Sequence, residues 1–272
     1  NTTGGNNIAV GYNALPNNTT ASQNCALGYL ALEKVTIGGN NTGVGAFALN
    51  NLIDGINNTA VGVNSGPTAP STSLDNTTCL GYGARSTANN QIRLGNSAVT
   101  SIGGQVGWTT LSDGRFKREI TEQVPGLAFI LALRPVSYVV DRTALNQFLD
   151  PTSQNETPKT ADLSTRQTGF IAQEVDALTQ KTDAPFSGVD RPLNEATPYG
   201  LRYSEFVVPL VKAIQEQQAL IEAQKQENQK LQNWVDALSQ ADQKQQALIE
   251  NLRKQVEDLQ IQISPRLSVV SQ

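Results

Sequence analysis

The 272-residue sequence contains no histidine and no methionine, only two cysteines, and few aromatic side chains, 6% in all. Without histidine, imidazole catalysis is excluded, and two cysteines alone do not make an ordinary zinc centre; no metal or cofactor is expected. Methionine is missing even at the first residue, as expected of a fragment or processed product, so the lack of a signal peptide says nothing of the compartment. No apolar run approaches the roughly 20 residues that span a bilayer, so no membrane insertion is expected of this chain. The formal net charge of -4 gives no electrostatic reason to expect nucleic acid or an anionic membrane as partner. Charge is also unevenly placed. Residues 1–111 carry six charged side chains, Glu33, Lys34, Asp54, Asp75, Arg85 and Arg93, whereas the remainder is rich in Lys, Arg, Asp, Glu and Gln. That shift marks a domain boundary near residue 110.

The charge-poor segment repeats itself. Gly11, Gly28, Gly45 and Gly62 stand 17 residues apart, with looser copies at Gly81 and Gly95. An aliphatic residue precedes each glycine (Val10, Leu27, Val44, Val61, Leu80, Leu94), asparagine stands upstream, and Ala-Leu follows at 14–15, 31–32 and 48–49. Glycine and asparagine tolerate left-handed corners, and alternating small and aliphatic residues suit a narrow β interior. One such coil cannot bury its apolar side alone, so coils stack into a rod. Few aromatics imply a thin core, for which lateral association of chains is a remedy. Cys25 lies three residues before its glycine and Cys79 two before, so alternation points them to opposite faces and argues against a disulfide. The sequons such as Asn18-Thr19-Thr20 follow from the repeat composition and are not read as glycosylation sites. The Asn-x-x-Ala-Val-Gly pattern resembles the head repeats of trimeric autotransporter adhesins and the shafts of phage tail fibres. After Asn96, the stretch Ala98–Trp108 predicts one or two short strands leading out of the rod.

From Val207 to Ile263 a heptad runs almost unbroken. Ile214, Ile221, Asn228, Val235, Asp242, Ile249, Val256 and Ile263 fall at a, and Leu210, Gln217, Gln224, Leu231, Leu238, Gln245, Leu252 and Leu259 at d. This predicts a coiled coil. Aliphatic a with Leu at d leans to two strands, but the polar a and d residues weaken that rule, so dimer and trimer both stay open. Pro265 is expected to end the helix.

Between rod and helix, Arg118–Leu133 reads as a helical stretch interrupted at Pro125-Gly126, and Pro135–Val140 as a strand. The segment from Asp141 to Gln167 reads as a long loop or arm, and Gly169–Thr179 as a strand turning into a helix. A second polar loop spans Lys181–Pro198. Ser112-Asp113-Gly114-Arg115-Phe116-Lys117, then Gly169-Phe-Ile-Ala-Gln-Glu-Val175, then Tyr199-x-x-x-Tyr203-Ser204 followed by Phe206-Val-Val-Pro-Leu-Val-Lys-Ala-Ile-Gln-Glu216 form an ordered set. The set resembles the intramolecular chaperone auto-processing domain, the endosialidase-type chaperone or peptidase S74 family. That resemblance implies a homotrimer whose chaperone part aligns the chains of the preceding β-structure. It also implies self-cleavage at Leu111-Ser112, with Ser112 as nucleophile and Lys117 as general base. A serine hydroxyl needs a neighbour to take its proton, and lysine can do so only as the neutral amine, which burial favours. Spacing alone equally fits a Ser112 that caps a helix, with Asp113 in its first turn and Lys117 and Arg118 solvated. Gln173 and Glu174 are expected to orient structure or contact neighbouring chains.

The chain is therefore read as a β-roll or β-helix-like repeat rod over 1–96 and a strand linker over 97–111 that ends at the cleavage site. A small α+β chaperone domain over 112–206, a coiled coil over 207–263 and a tail over 264–272 complete it, in a homotrimer. The leading function is that of a tail-fibre, tailspike or surface-adhesin segment carrying a self-cleaving chaperone. The alternative is a permanent, uncut trimeric stalk. Expected partners are copies of the same chain and a cell-surface or glycan receptor bound through the rod or through other domains, on a phage virion or a bacterial surface.

Overall fold

The computed structural model describes residues 1–68, 73–149, 166–181 and 185–269, with side chains in the last helix described to residue 261. It divides into two compact units, one of 1–124 with 131–207 and the other of 125–130 with 208–272.

In the first unit, each repeat places a three-residue strand before its glycine. The strands are β1 (Ile8–Val10), β2 (Cys25–Leu27), β3 (Thr42–Val44), β4 (Thr59–Val61), β6 (Thr78–Leu80) and β8 (Ile92–Leu94), with two-residue strands β5 (Gly66–Pro67) and β7 (Arg85–Ser86) between the later ones. The six longer strands pair in parallel in the order β1-β2-β3-β4-β6-β8, and β5 pairs with β7. The result is a β-solenoid of about five turns. Ala26, Gly43, Ala60 and Cys79 share one register row and are buried, whereas Cys25 shares the adjacent row with Thr42, Thr59 and Thr78. Strand alternation thus separates the two cysteines, and both are free. Burial pushes the Cys79 thiol above its ordinary pKa.

Three ladders hold the coils together. Gly11, Gly28, Gly45 and Gly62 have φ of 134°, 139°, 126° and 133°. A Cβ on Gly45 would stand 2.7 Å from the carbonyl of Gly62 in the next coil, so no side chain fits there. The paired asparagines divide the work. Asn40 and Asn57 turn left-handed corners at φ 60° and 61°. Their neighbours Asn41 and Asn58, together with Asn24 of the preceding coil, are buried and form a column in which Asn41 N–H donates to Asn24 Oδ1 at 2.9 Å and Asn58 N–H to Asn41 Oδ1 at 3.0 Å. Each amide nitrogen in turn donates to a backbone carbonyl, as from Asn41 Nδ2 to Gly55 O at 2.8 Å. The Ala-Leu pairs make the second corner. Leu15, Leu32 and Leu49 adopt φ of 52°, 50° and 54°, a strain of about 1 kcal/mol each that burial of the side chain, worth about 2 kcal/mol, offsets.

The period holds at 17 through β4 and then breaks: Thr59 pairs with Thr78 and Thr78 with Ile92, separations of 19 and 14 residues. Residues 98–108 form no strand, contrary to the β-branched pattern there; Val106 and Trp108 are exposed, and no described strand pairs with them. A β-prone stretch without a partner edge gains no ladder bonds, so propensity alone does not make it a strand.

The rest of the first unit is a small α/β assembly. β9 (Val136–Tyr138) pairs antiparallel with β10 (Gln167–Gly169), which leads into α3 (Ala172–Thr179), as the sequence predicts. The expected arm begins instead with α2 (Arg142–Leu149), and its remainder at 150–165 lies outside the described residues. The second polar loop contains β11 (Val189–Asp190), paired with β12 (Gly200–Leu201); residues 182–184 lie outside the described set. Phe170, Phe186, Tyr203 and Phe206 form the aromatic centre, with Phe186 and Phe206 at 4.9 Å and Phe170 and Phe206 at 5.3 Å.

The second unit takes most of α1, which covers Leu127–Ala132. That helix is shorter than expected, because Pro125-Gly126 stops helix formation upstream and 118–124 stays irregular. The unit's main element, α4, runs from Val207 to Val269, 63 residues and roughly 95 Å. Pro209 sits in its first turn, where the missing N–H has no intrahelical partner to lose. Pro265 does not end the helix, which continues to Val269. The heptad residues Leu231, Val235, Leu238, Ile249, Leu252 and Val256 are all exposed on the single chain. Side chains beyond 261, including Ile263, and residues 270–272 of the tail lie outside the described set. Glu216 accepts from the N–H of Leu127 at 2.7 Å, fixing the start of α1 on this helix.

Candidate active site

Ser112 and Lys117 flank a single turn of 3-10 helix over Gly114–Phe116. Asp113, not Ser112, caps that turn: its carboxylate accepts from Arg115 N–H at 2.9 Å. The Arg115 guanidinium closes on the same carboxylate, with Nη2 at 2.6 Å from Oδ2, and holds Asp113 below the usual carboxylate pKa. Arg115 also lies 5.7 Å over the Phe116 ring, and Arg118 Nη1 donates to the carbonyls of Arg115 and Lys117 at 2.8 and 2.9 Å. These short-range bonds fold the segment back on itself. Lys117 Nζ is thereby brought to Ser112 Oγ, to which it donates at 2.7 Å.

That contact has the distance a nucleophile–base pair needs. Leu111, Ser112 and Lys117 are nevertheless all exposed on the single chain, and Leu111 is 95% accessible. Nearby apolar side chains, Trp108 at 89%, Phe116 at 81% and Ile120 at 78%, are equally uncovered.

The later motifs have other work. Gly169 has no room for a side chain, since a Cβ there would lie 2.2 Å from the Tyr203 hydroxyl. That hydroxyl accepts from the N–H of Phe170 at 3.0 Å, so the two aromatic motifs clasp each other. Glu174 pairs with Arg134, whose Nε donates to Oε2 at 3.0 Å, lowering the carboxyl pKa and raising that of the guanidinium. Sequence reasoning left Arg134 unassigned. It also missed Asp176, a buried carboxylate on α3 that accepts from Arg191 Nε at 2.6 Å, Gln180 Nε2 at 3.2 Å and Tyr199 OH at 3.3 Å. An acidic residue in the apolar phase of a short helix was the available signal. Among the described residues no group of His, Cys, Asp and Glu can hold a metal ion, and no helix is long and apolar enough to cross a membrane.

The chain joins a β-solenoid to a small α/β domain with a serine–lysine contact at its first residues. Residues 112–183 match the Peptidase_S74 family model, described as chaperone of endosialidase. The chain thus carries an intramolecular chaperone domain of that family, which implies autoproteolytic activity in general. No curated protein and no solved structure matches the chain.

Proposed function

We propose that the chain trimerises through its chaperone domain and α4, that this assembly aligns and folds the β-rod, and that the chain then cuts itself at Leu111-Ser112. The observation that carries this reading is the 2.7 Å contact of Lys117 Nζ with Ser112 Oγ at the first residue of the family match. Neutral Lys117 takes the Ser112 hydroxyl proton as Oγ attacks the Leu111 carbonyl carbon. The C–N bond breaks, the proton passes to the Ser112 nitrogen, and Leu111 is left as an ester on Oγ. Water opens that ester to a Leu111 carboxylate and restores the hydroxyl on a chain with a new amino terminus.

At neutral pH an ordinary lysine is neutral in about one molecule in a few thousand. Burial favours the neutral amine, and neighbouring copies that cover Trp108, Leu111, Phe116 and Ile120 would desolvate the Ser112–Lys117 contact. Cleavage then reports assembly. Two further surfaces support self-association. The apolar heptad stripe of α4 is uncovered and suits a coiled coil, and Val10, Leu27, Val44, Val61, Leu80 and Leu94 stand in one outward register row along the rod. The rod and its outer face are the surface offered to a cell-surface or glycan receptor, as on a phage tail fibre or a bacterial adhesin. The exposure of Lys117 favours one second reading, a stalk that stays whole.

The test is a denaturing gel of the purified chain with sequencing of any new amino terminus. Two fragments, one of them beginning at Ser112, and loss of cutting in Ser112→Ala and in Lys117→Ala are expected. A wild-type chain that stays intact after assembly refutes the dyad and leaves the permanent stalk.

A further inference from the structure

The last coil of the solenoid, residues 87–97, has little support from the rod's own core at its strand. Its strand β8 ends the sheet, and Arg93 takes the register position held in earlier coils by Ala26, Gly43, Ala60 and Cys79. Arg93 is exposed, so the small apolar row that packs the interior stops one coil earlier. An end coil of a solenoid requires a cap, because its backbone edge and its core face have no next coil to cover them.

Two elements from beyond the Leu111-Ser112 bond grip this coil at its two ends. At the start, the carbonyl of Thr87 accepts from Asn194 Nδ2 at 3.1 Å and from Thr197 Oγ1 at 3.5 Å. Asn194 is itself held in place, since its Oδ1 accepts from Ala196 N–H at 3.0 Å and from the Thr197 hydroxyl at 2.8 Å. At the far end, Arg142 donates to the carbonyl of Ser97, and the Ser97 hydroxyl bonds Asn146, both from α2. Between the grips lies a cleft of about 580 Å³, where Ile92 and Leu94 of the coil face Leu145, Leu149 and Pro198.

We propose that the Asn194–Thr197 turn and Arg142 with Asn146 on α2 form a temporary cap that keeps the rod's last coil closed while the two parts are joined. Every gripping residue lies after Ser112 and every gripped group before it. If the chain cuts and parts as proposed above, the cap leaves with the released domain, and the last coil is the segment that loosens.

Hydrogen exchange of the full chain carrying Ser112→Ala tests the cap without relying on cleavage. Asn194→Asp keeps the oxygen that accepts from Ala196 and Thr197 but replaces the donor that faces Thr87. Arg142→Ala removes the donor to the Ser97 carbonyl and leaves the bond between the Ser97 hydroxyl and Asn146. Each is expected to speed amide exchange in 87–97 by roughly fivefold, the scale of one lost hydrogen bond, while β2 to β4 stay unchanged. Unchanged exchange at 87–97 in both variants overturns the cap. A variant that also speeds exchange at 167–181 has lost the small domain, and a last coil that stays protected even then overturns it too. With a cleavable chain, the separated rod is expected to exchange faster at 87–97 than the Ser112→Ala precursor, and equal rates refute the proposal. An intact wild-type chain sinks the self-cleavage reading alone, and the variant comparison still decides the cap.

Discussion

Replacing Asn41 by alanine is the most direct test of what stacks the coils. Asn41 is fully buried, and its Oδ1 accepts from Asn58 N–H at 3.0 Å and Asn58 Nδ2 at 3.1 Å while its Nδ2 donates to Gly55 O at 2.8 Å. Asn58 Nδ2 keeps a second acceptor, Leu74 O at 2.7 Å, so two backbone groups lose their partners, the Asn58 N–H and the Gly55 carbonyl. A buried polar group left unpaired costs about 1–3 kcal/mol, so the loss of two partners is expected to destabilise the rod by about 2–6 kcal/mol. The neighbouring Asn40→Ala is the control. Asn40 is exposed, and it loses only a 3.2 Å bond to Asn57 and the tolerance of a left-handed φ of 60°, about 1–2 kcal/mol. Both variants are made in the Ser112→Ala chain and followed by hydrogen exchange at β3 and β4 and by guanidinium unfolding. A difference of about 2 kcal/mol is a factor of about 30 in the opening equilibrium. Equal effects of the two variants would refute the view that the inner asparagine column, rather than corner geometry, joins the coils.

Gly45→Ala is expected to lose about 3 kcal/mol or more, since its Cβ meets the next coil at a φ of 126°, whereas Gly103→Ala, which meets nothing within 4 Å, should be neutral by the same unfolding measurement. Replacing Leu231 and Leu238 by aspartate should abolish self-association in light scattering, and a monomeric wild-type chain would remove the trimer from the proposal. Glu174 has a folded pKa below its ordinary value near 4.5, so its pair with Arg134 contributes stability above that pH and loses it as the carboxyl protonates on acidification. Glu174→Gln should therefore melt earlier than wild type at neutral pH, with the gap closing in acid; a gap that persists in acid assigns the effect to packing.

Much of the rod was legible because its constraints are local and repeat. A glycine every 17 residues and an asparagine doublet upstream announce corners, and alternation alone separated Cys25 from Cys79. What was not legible is the difference within each doublet, where one asparagine turns and the next is buried, because the same residue type serves both. The strand–helix corner at 167–179 was readable from its apolar start and polar helix. The stretch at 98–108 was misread, since strand propensity says nothing about whether a partner edge exists. At the candidate site, Ser112 and Lys117 were readable as a motif, but their contact depends on the Asp113 cap and the Arg115 pair, which were not. Long-range partners such as Arg134 with Glu174, or Asn194 with Thr87, leave no trace in local spacing.

The break in period near the end of the rod carries a consequence for how the coils find each other. Coils of identical length are interchangeable: a strand displaced by one whole coil meets the same glycine, the same asparagine and the same small inward residue. Such a chain has no address by which to tell the right neighbour from the next one along. The 19- and 14-residue coils remove that degeneracy, because the uniform coils before them have neither length. The extra pair β5 and β7, also 19 residues apart, marks the longer coil a second time. Both unequal coils lie at the end next to the chaperone domain. Stacking that begins there starts from an unambiguous alignment, and each uniform coil added afterwards has a single place to go.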